Sequence, residues 1–321
     1  MRTAVLIVAS IVLIWIAGYV ALARSGFFEL TRADLIERYA GPESKFVNIK
    51  GIEVHYKDEG AGTPVVLFHG SFGSVHTWDG IANELVSDYR VIRMDQPQSA
   101  LSSDIDQENE GLLLEDFVAT FLDEVGVDKA HFIGTSSGGI IAYRFASKYP
   151  HRTGALIIAN APSAVVDNDA IETPLGLKAL TFFSQHVLKY QPRIYWNSFL
   201  KSLYAEPSRL NDKTVNQYYD FGWRSRTAPY VRSMFARVND TAEIDQVLSI
   251  VTSPTLLLWG TPDRVLPEEM GYQLQRKLVS TDAELVMLNG TGHYPPVESP
   301  LIVSRYVEAF LSEYTEPSTL P

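Results

Sequence analysis

The sequence predicts an α/β domain in which a mostly parallel sheet is flanked by helices and interrupted by one helical insertion, a cap. Three observations carry this reading. Six short, mostly apolar runs, 64–68, 91–94, 130–133, 155–158, 255–259 and 284–288, have the composition of strands buried on both faces. Segments with helical patterning lie over 78–86, 112–125, 137–149, 268–278 and 301–311, where the crossovers of a parallel sheet belong. Between the fourth and fifth runs, residues 161–245 look helical and are punctuated by Pro174, Pro192, Pro207 and Pro229; a stretch of that length is too long for a structureless loop.

Taken in order, the chain opens on twenty uncharged residues, Ala4 to Ala23, which at ~1.5 Å per residue span ~30 Å, the thickness of a bilayer core. Only Ser10 and Tyr19 are polar there, too few for the solvent face of an ordinary core helix. Residues 1–24 are therefore expected to be an uncleaved transmembrane anchor. A cleaved signal peptide is the alternative, with Ala21-Leu22-Ala23 as its A-x-A site and a secreted product. With the short N-terminus inside, the bulk of the chain lies outside the cytoplasm. Residues 25–45 form a linker: Thr31 to Asp34 has capping-box form and opens a helix through Tyr39, ended by Gly41-Pro42, which is expected to stand the body off the membrane. Residues 46–50 and 52–57 alternate around Gly51 as a hairpin. The core then covers 46–160 and 246–314, the cap 161–245, and 315–321 form a disordered tail.

Composition bounds the partners. In 321 residues, 27 Lys and Arg stand against 38 Asp and Glu, a net charge of −11, with 46% hydrophobic and 20% charged residues. That is globular composition, and an acidic chain with no evident basic face is not a nucleic-acid binder. Cysteine is absent, which excludes disulfides, a thiolate nucleophile and Cys-ligated metal. The cap holds ten basic and nine acidic residues, so the acidity lies almost wholly outside it. It also holds thirteen aromatics, among them Phe182, Phe183, Tyr190, Tyr195, Trp196, Tyr218, Tyr219 and Trp223, which either line a site for an apolar or aromatic substrate or form the cap's own core. Four arginines, Arg224, Arg226, Arg232 and Arg237, have no acid between them; a solvated helix face explains them more simply than a carboxylate site.

Gly134-Thr135-Ser136-Ser137-Gly138 matches G-x-S-x-G between a buried strand and a helix opened by small residues. In that setting the glycines let neighbouring backbone pass closely, and Ser136 stands exposed at the carboxyl end of the strand. The N–H of Ser137 lies beside it at a helix start, where negative charge is favoured. A serine needs a positioned base. Of seven histidines, His293 is best placed, in the loop Asn289 to His293 after the last strand; His131 reads as core, and His55, His76 and His151 as surface or turn residues. Asp263, after the strand 255–259, is the residue to orient the imidazolium. A second oxyanion donor is expected in His69-Gly70-Ser71-Phe72-Gly73-Ser74: the N–H of Ser71, with Phe72 beside it as a substrate contact.

In HGSFGS, GTSSGG, WGTPDRVLP and GHYPPVESP, found in that order over about 46–311, the chain resembles the cap-bearing α/β-hydrolases. The resemblance implies an α/β-hydrolase fold with an eight-stranded sheet, the cap over the active site, and a Ser136, Asp263, His293 triad in the family's chain order. Two departures stand out. The relatives' turn D-x-P-G-x-G-x-S is here Asp95-Gln96-Pro97-Gln98-Ser99-Ala100-Leu101-Ser102, without its glycines, and the nucleophile is Ser where epoxide hydrolases and haloalkane dehalogenases use Asp.

The expected function is hydrolysis of a carboxylic ester or related acyl compound, with carbon–carbon or lactone hydrolysis on the same triad as the alternative and a catalytically silent binding protein as the competing class. No metal or cofactor is required. The partners are a small ester-like substrate and, through the N-terminal helix, a membrane. Asn289-Gly290-Thr291 and Asn239-Asp240-Thr241 are glycosylation patterns, and a glycan on Asn289 would stand beside His293, so a bacterial periplasm suits the chain better than a secretory pathway.

Overall fold

The computed structural model describes residues 2–105, 113–166, 171, 173–227 and 240–315. Eight strands form one sheet: β1 Ser44–Ile49, β2 Ile52–Glu59, β3 Thr63–Phe68, β4 Tyr89–Met94, β5 Ala130–Thr135, β6 Thr153–Ala159, β7 Thr255–Thr261 and β8 Ala283–Asn289. Their spatial order is β1-β2-β4-β3-β5-β6-β7-β8. β2 runs antiparallel to β1 and β4, and every other pairing is parallel. Five of the six apolar runs are central strands because helices cover both their faces; the run 284–288 is β8, the partly buried edge strand. Phe117, Phe121, Ile141, Phe145, Ile244 and Leu274 pack on one face; Trp78, Ile81, Leu85, Val303, Val307 and Leu311 pack on the other.

The cap follows β6. Helix Leu175–Phe182 continues as a π-helical turn, Phe183–Leu188, and helices Arg193–Leu203 and Asp212–Thr227 follow it. Trp196, Leu200, Tyr204 and Tyr218 are the cap's own core, whereas Phe182 and Phe183 are exposed. The expected cap boundary at 245 falls inside helix Thr241–Ser249, whose Ile244 and Leu248 join the sheet core. Of the four arginines, Arg224 does not lie on a solvated face: it is buried and donates to the Ser102 carbonyl and to Asp104. The other three side chains, Asn239 and the tail beyond 315 lie outside the described residues.

Helix Arg2–Arg24 is, over Thr3–Arg24, long and apolar enough to cross a membrane. Its last turn touches the body: Ala23 is buried against Leu188 and Tyr190, and Arg24 donates to the Val187 carbonyl at 3.1 Å. The linker does not act as a spacer. Thr31 caps helix Arg32–Tyr39 with Asp34 in a capping box, as its sequence predicts, but Leu35 is fully buried against Ala100, Leu101 and Phe221. Asp220 of the cap accepts from Arg38 at 2.8 Å and from the Tyr39 hydroxyl at 2.6 Å, so the linker is a strut between cap and core. The turn after β4 keeps left-handed backbone without glycine: Gln98 and Ala100 have φ of 62° and 41°. Asp95 holds it, accepting from the N–H groups of Val75 and Leu101.

His131 is core, as its sequence position suggests. Its Nδ1 accepts from the Ala155 N–H at 2.8 Å, and burial, with Lys129 adding to it, pushes its pKa down to about 4. The unfolded chain therefore binds this proton first as pH falls. Its stability contribution is complete above the ordinary histidine value and is lost between pH ~6.5 and ~4, at most about 3 kcal/mol. Urea midpoints measured across that window are expected to fall, and to fall less steeply in His131→Gln.

Candidate active site

β5 ends in a turn that only this sequence pattern allows. Ser136 sits at φ 52°, ψ −125°, a strained conformation, and helix Ser137–Lys148 begins at the next residue. A Cβ on Gly134 would meet the Gly138 carbonyl oxygen at 2.3 Å, and one on Gly138 would meet the Phe68 carbonyl oxygen at 2.1 Å. Both contacts are backbone against backbone and cannot relax. The Ser136 N–H is satisfied by the Ala159 carbonyl at 2.9 Å, which leaves its hydroxyl directed at the cavity above the sheet.

His293 Nε2 lies 3.0 Å from Ser136 Oγ, and its Nδ1 lies 2.7 Å from Asp263 Oδ2. Asp263 also accepts from the N–H groups of Val265 and Leu266 and from Asn160 Nδ2, at 2.7, 3.0 and 2.7 Å. With Asp263 accepting from every neighbour, Nδ1 is the histidine donor to it and Nε2 is the acceptor facing the serine. Asn160 is itself set at φ 42° and accepts from the Gly260 N–H at 2.8 Å, which ties the end of β6 to β7.

Ser71 and Ser137 come together beside Ser136, their hydroxyls bonded at 3.1 Å. Among the described residues neither backbone N–H has a partner, so both are available to an oxyanion. Neighbouring His69 is buried and neutral: burial holds its pKa down, Nδ1 donates to the Gly70 carbonyl, and Nε2 accepts from the Gln96 N–H. Above these groups lies a cavity of about 650 Å³ with Ser136 and His293 on its wall. Phe72, Leu177, Tyr195, Phe199, Leu203 and Val265 make it mainly apolar. Phe72 also stacks edge-on against Trp196 and Phe199 of the cap. The cap aromatics thus divide: Tyr195 and Phe199 line the cavity, and Trp196 and Tyr218 support it.

A family model described as the alpha/beta hydrolase fold matches residues 63–300. The chain belongs to that family. It is similar to a 2-hydroxy-6-oxononadienedioate/2-hydroxy-6-oxononatrienedioate hydrolase of Burkholderia vietnamiensis, 27% identical over 281 residues that cover 84% of this chain and 95% of the relative. A 2-hydroxy-6-oxo-6-phenylhexa-2,4-dienoate hydrolase of Burkholderia cepacia is 28% identical over 297 residues, with coverages of 84% and 96%. Among solved structures, a membrane phospholipase A described as a bacterial virulence factor shares the fold, with TM-score 0.68, 21% identity and coverages of 98% and 99%.

This α/β-hydrolase contains a second Ser-His-Asp constellation. His55 Nδ1 is 2.7 Å from Asp95 and its Nε2 is 2.9 Å from Ser44 Oγ. His55 is therefore not the surface residue that its sequence position suggests but is fully buried, because it bridges β1, β2 and the turn after β4. None of the three lines the cavity, and Ser44 lies in a regular strand with its hydroxyl accepting from the Gly41 N–H. The trio closes the hairpin onto the sheet. Triad distances alone do not mark a site; the elbow, the free N–H pair and the cavity distinguish Ser136.

Three residues that matter here do not stand out in the sequence. Asn160 has been described. Tyr294 donates to the Ser71 carbonyl at 3.1 Å, steadying the loop that carries Ser71, and its buried ring packs on His293; burial first, then Tyr218 and Asp263 nearby, raise its pKa far above the ordinary tyrosine value, so it stays a donor. Glu298, buried, accepts from the N–H groups of Gly292, Ala205 and Glu206 at 2.6, 3.2 and 2.8 Å. Together with the bond from the His293 N–H to the Leu203 carbonyl at 2.8 Å, it locks the histidine loop to the cap. The only sequence signal was the position of both residues in GHYPPVESP. Glu298→Ala is expected to lose ~10- to 100-fold in kcat/KM through a displaced His293, with Glu298→Gln intermediate; steady-state kinetics on any turned-over substrate check this.

Proposed function

We propose that this α/β-hydrolase is a membrane-tethered serine hydrolase that cleaves an apolar acyl ester. Thr3–Arg24 spans the bilayer, and the body lies on its outer face, in a bacterial periplasm. As Ser136 Oγ attacks the ester carbonyl, its proton passes to His293 Nε2. The oxyanion is held by the N–H groups of Ser71 and Ser137, while Asp263 orients and stabilises the imidazolium. The C–O bond breaks as His293 returns the proton to the leaving alcohol. Water, deprotonated by the same nitrogen, then releases the acid and regenerates Ser136.

The observation that carries the choice of substrate is the cavity wall. Among the described residues Arg264, exposed at the rim, is the only cation that lines it. An acyl chain fits such a wall, whereas a carboxylate placed deep within it would be desolvated without a partner. A second reading has its own support. The curated relatives are named for oxo-dienoate substrates, so hydrolysis of a carbon–carbon bond beside a ketone, with the same triad, is the reading that sequence similarity favours.

A substrate panel separates the two. Nitrophenyl esters from butanoyl to dodecanoyl are expected to be turned over, with preference for the longer chains, and a 6-oxo-dienoate to be inert. Turnover of the dienoate with none of the esters would establish the second reading. Ser136→Ala is expected to lose ~10³-fold or more in rate and all labelling by a serine-reactive phosphonate, whereas Ser44→Ala keeps both.

A further inference from the structure

Helix 175–188 of the cap turns one face to the cavity and carries an apolar stripe on another. Leu177, Thr181 and Gln185, at i, i+4 and i+8, line the cavity, and Ser184 and Leu188 are buried behind them. Leu175, Ala179, Phe182 and Phe183, at i, i+4, i+7 and i+8, face outward, with Lys178 and His186 exposed beside them and His186 packed on Phe182. Leu175 is 84% exposed, Phe182 63% and Phe183 43%. Ile194, 63% exposed, opens the following helix, and Phe27, 68% exposed, lies just past the N-terminal helix. A lone exposed apolar residue is ordinary, but a helical stripe of them is not.

The end of the N-terminal helix indicates what covers this stripe. Its final turn packs on Leu188 and Tyr190, and Arg24 bonds to Val187, all at the C-terminal end of the striped helix. The C-terminal end of helix 175–188 thus lies against the end of the span, so a bilayer entered by Thr3–Arg24 would meet this helix at that end. From these contacts we infer that the stripe is a bilayer-docking surface, with Leu175, Phe182 and Phe183 seated among lipid headgroups and upper acyl chains. The inference rests on the proposed insertion of Thr3–Arg24. It also deepens the proposed function. One helix, ~10 Å across, then separates lipid from the acyl cavity, so the substrate is an ester resident in the bilayer.

The absence of cysteine makes a direct test clean. Single nitroxide labels at Ile11→Cys in the span, Phe182→Cys in the stripe and Val279→Cys, an exposed site ahead of β8 at the opposite edge of the sheet, are read in the full chain reconstituted in phosphatidylethanolamine–phosphatidylglycerol vesicles. Collisions with oxygen are expected to exceed those with a water-soluble nickel chelate at 11 and 182, and the reverse is expected at 279. If 11 reads as lipid while 182 reads like 279, the docking surface is wrong and the tether stands; if 11 also reads as water, the tether itself fails. Spin–spin broadening at 182 that unlabelled protein dilutes out would assign the stripe to a second copy of the chain and overturn the inference. In parallel, Phe182→Asp with Phe183→Asp is expected to lose roughly tenfold or more of turnover on a vesicle-borne ester while a soluble butanoyl ester stays within roughly twofold. Equal retention of both activities would overturn the inference, and the labels decide the matter should the double variant misfold.

Discussion

The site depends on one close approach: Gly138 lying on the carbonyl of Phe68. A side chain there would meet that oxygen at 2.1 Å, so the elbow helix can approach β3 only as glycine. The approach fixes the N–H of Ser137 next to Ser71, because Ser71 belongs to the loop that leaves β3. It also fixes Ser136, since the turn between β5 and the helix must pass through positive φ to make the contact. Gly139 extends the same packing to Ala161, where β6 leads into the cap; a Cβ would fall 2.4 Å from that of Ala161. The strain at Ser136, about 1–3 kcal/mol, is offset by burial of Ile140, Ile141, Ala142, Tyr143 and Phe145 on the same helix.

The proposed base is held differently from the proposed nucleophile. Ser136 is fixed by the sheet, but His293 sits in a loop whose backbone is bonded to the cap, through Leu203 directly and through Glu298 to Ala205 and Glu206. Gly292 admits this contact: a Cβ there would meet the Leu203 carbonyl at 2.1 Å. The cap is therefore not a lid that can swing at this end, because lifting 203–206 would unseat the base. Among the described residues helix 175–188 shares no such bond with the histidine loop; it is held by Leu177 in the cap core and by Leu188 against Ala23.

How much of this was legible in the sequence follows from the range of the interactions. The strands, the elbow, and the loops bearing Asp263 and His293 were readable because each is a local pattern of apolar runs and turn residues. Asn160 and Glu298 were not, since each acts across a hundred residues or nearly so on partners that include backbone N–H groups with no side-chain signature. His55 was misread for the same reason: its burial comes from Asp95 and Ser44, brought together by strand pairing. The linker showed its cap but not its neighbour, since Leu35 meets Phe221 only once the cap has folded. At Gln98 and Ala100 the structure keeps the left-handed turn that glycines would ease, because Asp95 ties the turn from inside.

Charge and anchor together determine what kind of surface the body can turn towards a membrane. A chain of net charge −11 gains no overall attraction to anionic lipid. Single-helix tethering alone leaves such a body free to drift away from the surface within the reach of its linker. Here the linker is no free tether, since its helix is packed between core and cap through Leu35, Arg38 and Tyr39. Orientation is thus set by packing rather than by charge, and the nearly neutral cap is the part with least to lose by approaching the lipid. In the proposed docking, each large apolar side chain that the stripe buries would contribute about 1.5–3 kcal/mol, while repulsion between the acidic core and anionic lipid is screened over a Debye length of about 8 Å.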